Sequence, residues 1–137
     1  MFRCWTCCFN LSKNFTFLPV DGTWNGYTAI KVNDRLSFLR YRGGEYYDSH
    51  VDVPYEDTEK QLESFLTLQI YLNSRFTGGE TRFLQEVGFN KMEDRKYLDL
   101  VPQTGAALLF EHELNHAGMP VGYGVKYAMR TDIMGKK

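Results

Sequence analysis

The clearest periodicity in the chain lies between residues 65 and 73. Leu66, Leu68, Ile70 and Leu72 alternate there with Phe65, Thr67, Gln69 and Tyr71. A period of two with one greasier side marks a half-buried strand, because successive side chains point to opposite faces of a sheet. Other short runs are rich in β-branched and aromatic residues: FTFLPV (15–20), YTAIKV (27–32), LSFLRY (36–41), EYYDSHVDV (45–53), YLDLV (97–101), AALLF (106–110) and GVKYAMRTD (124–132). Turn signals separate them, among them Asp21-Gly22, Asn25-Gly26, Gly43-Gly44, Gly78-Gly79, Gly105 and the series Gly118, Pro120, Gly122, Gly124. Only EDTEKQLESF (56–65) reads as a helix, and it is short and charged. Many short strands with glycine turns predict a mainly β sandwich or barrel with few short helices.

Composition narrows the class. The chain has 137 residues, 43% hydrophobic and 24% charged, which fits a single globular domain over 1–137. Sixteen basic and 17 acidic side chains give a net charge of -1, and no basic block stands out. The expectation is therefore no nucleic-acid partner and no acidic-membrane partner. The start, MFRCWTCCFNLSKNF, is interrupted by Arg3, Thr6, Asn10 and Lys13, and lacks the apolar core of a secretory signal. A cytoplasmic location is expected. The three cysteines, Cys4, Cys7 and Cys8, sit together without a second Cys/His pair nearby, so they read as incidental thiols rather than a zinc site or disulfide framework.

Residues 112–116 read HELNH. H-E-x-x-H is the zinc-peptidase signature, and it works on a helix, where positions i and i+4 share a face. Here Gly105 precedes it, and Gly118, Pro120, Gly122 and Gly124 follow, all of which oppose a helix. The extended peptidase form places Gly and then His three and six residues after the second histidine; this chain has Met119 and Gly122 there, and no glutamate follows Glu113. A different set fits better. In Tyr47-Asp48-Ser49-His50-Val51-Asp52, a strand would turn His50 and Asp52 to one side. Adding a distant histidine gives two His and one carboxylate, the facial triad that leaves coordination positions open and suits non-haem Fe(II) oxygenases.

Three blocks in order carry a family resemblance. Tyr41-x-x-Gly44-x-x-Tyr47-x-x-His50-x-Asp52 comes first, with Glu45 where glutamine is usual. LQIYLN with Gly78-Gly79-Glu80-Thr81-x-Phe83 follows. His116-x-Gly118-x-x-Val121-x-x-Gly124-x-Lys126 closes the set. Over about residues 35–133 the chain resembles the catalytic domain of prolyl 4-hydroxylases and other 2-oxoglutarate- and iron-dependent oxygenases. The resemblance implies a double-stranded β-helix, or jelly roll. It implies His50, Asp52 and His116 as ligands of Fe(II), and Lys126 as the cation for the distal carboxylate of 2-oxoglutarate. On a strand Arg130 would share the face of Lys126 and is a second candidate for that carboxylate. Tyr41 and Thr81 match positions that can hydrogen-bond the cosubstrate. His112 matches no ligand position and is expected to be structural or to support the site from outside the ligand set, orienting a ligand or lining the mouth, which leaves Glu113 without a catalytic role.

The implied activity is hydroxylation of an unactivated C–H, on a prolyl residue of a polypeptide or on a small molecule. Dioxygen is consumed, succinate and carbon dioxide are co-products, and ascorbate serves as reductant. The polar segment 84–97 is a candidate substrate-selecting mouth loop. The family's N-terminal buttress is longer than the stretch ahead of residue 35, so the expectation is either an N-terminally truncated chain or a minimal version of the domain. The alternatives are a non-catalytic jelly-roll binding module and, behind it, the zinc peptidase.

Overall fold

A computed structural model describes residues 21–84 and 97–137, together with the backbone course of two strands at 6–10 and 13–16. The cysteine side chains, residues 17–20 of the first predicted run and the interior of segment 84–97 lie outside the described residues. Every regular element described is a strand, thirteen in chain order. They are β1 (Thr6–Asn10), β2 (Lys13–Thr16), β3 (Thr23–Trp24), β4 (Tyr27–Val32), β5 (Ser37–Tyr41), β6 (Tyr47–His50) and β7 (Glu56–Asp57), then β8 (Leu62–Tyr71), β9 (Thr81–Leu84), β10 (Tyr97–Leu100), β11 (Ala107–Glu111), β12 (His116–Gly118) and β13 (Lys126–Lys136).

The strands form two sheets. The small one has the order β10-β9-β12-β6. The large one runs β2-β1-β11-β8-β13-β4-β3, with β5 also pairing β13 and β7 pairing β8. From β5 onward the chain crosses from one sheet to the other: β5 large, β6 small, β8 large, β9 and β10 small, β11 large, β12 small, β13 large. This alternation is the jelly roll. β5 and β4 share one edge of β13, at Lys126–Arg130 and Ile133–Lys136 respectively. The hydroxyl of Thr131 pins the link between them through the carbonyls of Asn33 and Arg35.

Asn25 and Gly26 join β3 to β4 in two residues, both at positive φ (45° and 83°), the tight hairpin that Asn-Gly favours. Trp24 and Asn25 then both donate to Oε1 of Glu111, at 2.7 and 2.6 Å, and tie this hairpin to the end of β11.

The predicted helix over 56–65 is instead a hairpin. Glu56 pairs with Glu63 and Asp57 with Leu62, and Gln61 turns the chain at φ 54°. Glu59 and Lys60 sit in that turn, where the Asp57 carboxylate caps the Lys60 amide at 3.0 Å. Strand pairing to β13 overrides a weak local preference, since helix propensity is a small term beside tertiary packing.

The alternation along β8 also resolves in an instructive way. On the more polar side Thr67 and Tyr71 are buried and bond Asp52 and Thr81, and Gln69 lines the cleft, while the apolar side runs from a fully buried Leu66 to Leu72 at 43% exposure. The polar side faces inward, toward a polar site between the sheets. The apolar core is displaced to one flank of the interior, where Phe83, Leu108, Phe110 and Leu114 pack with Leu98 and Leu100. Phe83 and Phe110 meet edge to face at 5.2 Å. Truncating a buried phenylalanine removes transfer free energy and leaves a cavity. Phe110→Ala is expected to lower unfolding stability by about 3–5 kcal/mol in urea titrations, whereas Glu113→Ala, at an exposed turn, stays within about 0.5 kcal/mol of the parent.

Candidate metal centre

His50 ends β6, and His116 opens β12. The two strands are antiparallel neighbours, and the register places His50 opposite His116. Their rings lie 4.3 Å apart. Asp52 follows β6 by two residues and faces the same cleft, while Val51 between them is 51% exposed. The Asp52 amide donates to the His112 carbonyl at 2.8 Å, which fixes the chain where it leaves the small sheet. One ligand atom from each of His50, Asp52 and His116 lies within 4.8 Å of the others.

The imidazoles are prepared for an ion. Nδ1 of His50 sits 2.7 Å from the Asp48 carbonyl, and Nδ1 of His116 sits 2.8 Å from the Leu114 carbonyl. A carbonyl oxygen only accepts, so each Nδ1 carries the proton, and each neutral ring keeps its Nε2 lone pair free. Both Nε2 atoms face Asp52, at 3.6 Å from Oδ1 for His50 and 3.8 Å from Oδ2 for His116. Burial lowers the His116 pKa and favours the neutral ring that a metal requires. Phe110 packs edge-on against His116 at 4.6 Å, and Tyr47 covers His50 at 4.3 Å.

Burial pushes the Asp52 carboxyl up, but the Thr67 hydroxyl and the charge of Arg130, with a smaller contribution from the His116 ring, outweigh it and hold the group below the usual carboxylate range. Thr67 Oγ1 donates to Oδ2 at 2.5 Å, and Arg130 approaches Oδ1 at 3.0 Å. Arg130 also lies 3.5 Å from Asp132. Two nitrogen donors and one ionised carboxylate on one wall of an open cleft fit a facial-triad metal site, and the donor chemistry suits Fe(II).

The cleft has a volume of about 230 Å³, many times that needed by a single water. Tyr41, Thr81, Lys126 and Arg130 line it beside the triad. Lys126 is buried at 3% exposure. Its Nζ donates to the Gly79 carbonyl at 2.7 Å and lies over the rings of Tyr41 and Tyr71, at 5.4 and 5.6 Å. Burial lowers its pKa to about 8, against a smaller opposing pull from Glu80. Among the described residues no carboxylate lies within ion-pair distance of Lys126. The Gly78-Gly79 turn makes this arrangement possible. Gly78 adopts φ 71°, and a Cβ there would stand 2.3 Å from the Pro120 carbonyl oxygen.

Thr81 is buried, shares a 2.6 Å hydrogen bond with the Tyr71 hydroxyl and accepts one from Gln69 at 3.2 Å. Burial raises the Tyr71 hydroxyl to about 12 and keeps it protonated. Thr67, Gln69 and Tyr71 were not among the residues expected at the site. Their signal was the polar half of the β8 alternation.

HELNH is not a helix. His112 to Asn115 form the turn from β11 to β12. His112 is buried and directed at the hydroxyls of Ser64 and Thr67, both at 2.9 Å, not at the cleft. Glu113 is exposed. The peptidase arrangement is therefore not formed.

The model of the 2OG-Fe(II) oxygenase superfamily matches residues 36–131, most of the chain. The chain belongs to that superfamily, whose members use Fe(II), 2-oxoglutarate and dioxygen. It is 34% identical over 110 residues to a protein of Acanthamoeba polyphaga mimivirus that bears the name "Putative prolyl 4-hydroxylase"; the match covers 67% of this chain and 41% of the relative. Among solved structures, a Pseudomonas putida prolyl-4-hydroxylase superposes with a TM-score of 0.54 at 21% identity, covering 74% of this chain and 52% of the other. A Trichoplax adhaerens prolyl hydroxylase, in complex with a peptide fragment of a hypoxia-inducible-factor degradation domain, gives 0.54 at 22%, covering 80% and 47%. Both likenesses are of fold. The chain thus spans about half, or less, of the length of these relatives.

Proposed function

We propose that the chain is an Fe(II)- and 2-oxoglutarate-dependent hydroxylase acting on an unactivated C–H bond, with a prolyl residue of a polypeptide as its substrate. The observation that carries this reading is the convergence of His50 Nε2, His116 Nε2 and the Asp52 carboxylate in a cleft that also holds a buried ammonium with no anionic partner among the described residues. His50, Asp52 and His116 hold the ion. When bound, Fe(II) couples decarboxylation of 2-oxoglutarate to hydroxylation of the substrate, one dioxygen atom entering succinate and the other the new hydroxyl.

The protein's own groups set the geometry. Lys126 takes the distal carboxylate of 2-oxoglutarate, since a desolvated cation gains most from an anion that completes its hydrogen bonding. Arg130 is assigned to the metal end. It pairs with Asp52, and it stands four residues along β13 from Lys126, about 13 Å at the usual strand rise. Thr81, held by Tyr71, and Tyr41 flank the cosubstrate. The enclosing rings of Tyr47, Phe83 and Phe110 limit water around the imidazoles. The peptide bound to the Trichoplax relative supports a polypeptide substrate, and ascorbate is the reductant in this reading.

Anaerobic addition of Fe(II) and 2-oxoglutarate is expected to give a weak visible charge-transfer band. At saturating iron it disappears in His50→Ala and His116→Ala and persists in His112→Ala. Equal loss in His112→Ala together with zinc-dependent peptide cleavage would restore the peptidase reading. Succinate release is expected to rise with proline-containing peptides and not with their Pro→Ala counterparts.

Lys126→Ala should weaken 2-oxoglutarate binding by about 1.5–3 kcal/mol, roughly 10- to 150-fold, the worth of a hydrogen bond to a charged group. Calorimetric titration should also show wild-type affinity flat below pH 8 and falling above it, because deprotonation of Lys126 removes the charge that the carboxylate needs. Unchanged affinity in Lys126→Ala would move the role to Arg130.

A further inference from the structure

His112 is the one histidine of the three that the metal reading does not use, yet it is buried at 3% exposure and both of its ring nitrogens are engaged. Donor bookkeeping fixes how. Thr67 has a single hydroxyl proton, and its oxygen lies 2.5 Å from Oδ2 of Asp52. An ionised carboxylate only accepts, so that proton belongs to the Thr67–Asp52 bond. The contact between Thr67 Oγ1 and His112 Nδ1, at 2.9 Å, therefore has Nδ1–H as donor. In a neutral ring Nε2 then carries the lone pair, and Ser64 Oγ, 2.9 Å away, must donate to it. Ser64 in turn accepts the amide proton of Tyr55 at 2.7 Å. The protons all point one way, from Tyr55 through Ser64, His112 and Thr67 to Asp52. His112 has no lone pair left for an ion.

We propose that His112 is a positioning residue for the metal site: acting through Thr67, it locks the orientation of the Asp52 carboxylate before the ion arrives. This rests on the reading of His50, Asp52 and His116 as metal ligands. The backbone adds a second hold, since the His112 carbonyl accepts the Asp52 amide at 2.8 Å. Ring and carbonyl of one residue thus grip both the chain and the side chain of the carboxylate ligand. Thr67 alone could rotate its hydroxyl away from Oδ2. With Nδ1–H donating to its oxygen, the Thr67 proton is directed at Asp52, and cooperative polarisation along the chain strengthens that last bond. The H-E-x-x-H stretch then contains one ligand, His116, and one orienter, His112, serving a different metal geometry from the one its spelling suggests.

The test is Co(II) titration of the full apoprotein, read by the visible d–d absorption, with folding checked by circular dichroism. Removing an outer partner of a metal ligand typically costs 10- to 100-fold in affinity. His112→Leu and Thr67→Val are each expected to weaken Co(II) binding by about that factor, and Thr67→Ser to retain wild-type affinity. The double variant should bind no more weakly than Thr67→Val alone, because His112 acts through Thr67. A merely structural histidine would give additive losses. Should His112→Leu fail to fold, His112→Asn and His112→Gln carry the same test. Asparagine offers an N–H near the Nδ1 position and should keep affinity; glutamine offers its amide near Nε2 and should lose it. Wild-type binding that His112→Leu leaves within about twofold, additive losses in the double variant, or equal behaviour of the Asn and Gln variants would each overturn the relay alone. No Co(II) binding by wild type, with His116→Ala indistinguishable from it, would overturn the metal-site reading and the relay with it.

Discussion

The antiparallel pairing of β6 with β12 is the contact on which the site depends. It sets His50 against His116 in the small sheet, with each ring tethered at Nδ1 to a carbonyl two residues upstream. A slip of one residue in that register would turn one imidazole to the opposite face and leave the pair unable to share an ion. The rest of the jelly roll serves this pairing. The crossover after β6 delivers Asp52 to the mouth, the turn after β11 brings the chain back as β12, and β13 closes the cleft with Lys126 and Arg130.

The site is costly to the fold that carries it. Between the sheets, where an ordinary sandwich would place aliphatic side chains, lie Thr67, Thr81, His112, His116 and Lys126, all buried. Such groups are tolerated only when each is paired, and here nearly all are: hydroxyl to carboxylate, imidazole to carbonyl, ammonium to carbonyl. The apolar cluster around Phe83 and Phe110 compensates on one flank and doubles as the wall behind His116. Stability and metal chemistry meet at these two rings. The ammonium of Lys126, bonded to a carbonyl but without an ion-pair partner among the described residues, is the group whose pairing a dicarboxylate would complete.

Much of this was legible in the sequence. Alternation and glycine turns gave the all-β class, Asn25-Gly26 marked its hairpin, and the spacing His50-x-Asp52 put two donors on one side because an extended chain alternates. What was not legible had physical causes. The short, charged stretch 56–65 read as a helix, whereas it folds as a hairpin whose two arms pair as strands. On β8 the apolar residues were the conspicuous set, but in a fold with a polar interior site it is Thr67, Gln69 and Tyr71 that face inward. Periodicity shows that a strand has two faces; it does not say which face is interior. The tautomers and the hydroxyl chain through His112 depend on contacts 45 and 48 residues apart in sequence, which no local pattern encodes.

Anomalous diffraction from crystals loaded with Fe(II) or Mn(II) under anaerobic conditions tests the central claim most directly. The account predicts one strong anomalous peak within bonding distance of His50 Nε2, His116 Nε2 and an Asp52 carboxylate oxygen, with His112 still bonded to Thr67. A peak ligated by His112 and His116 together, or no peak between His50 and His116 at saturating metal, would contradict it.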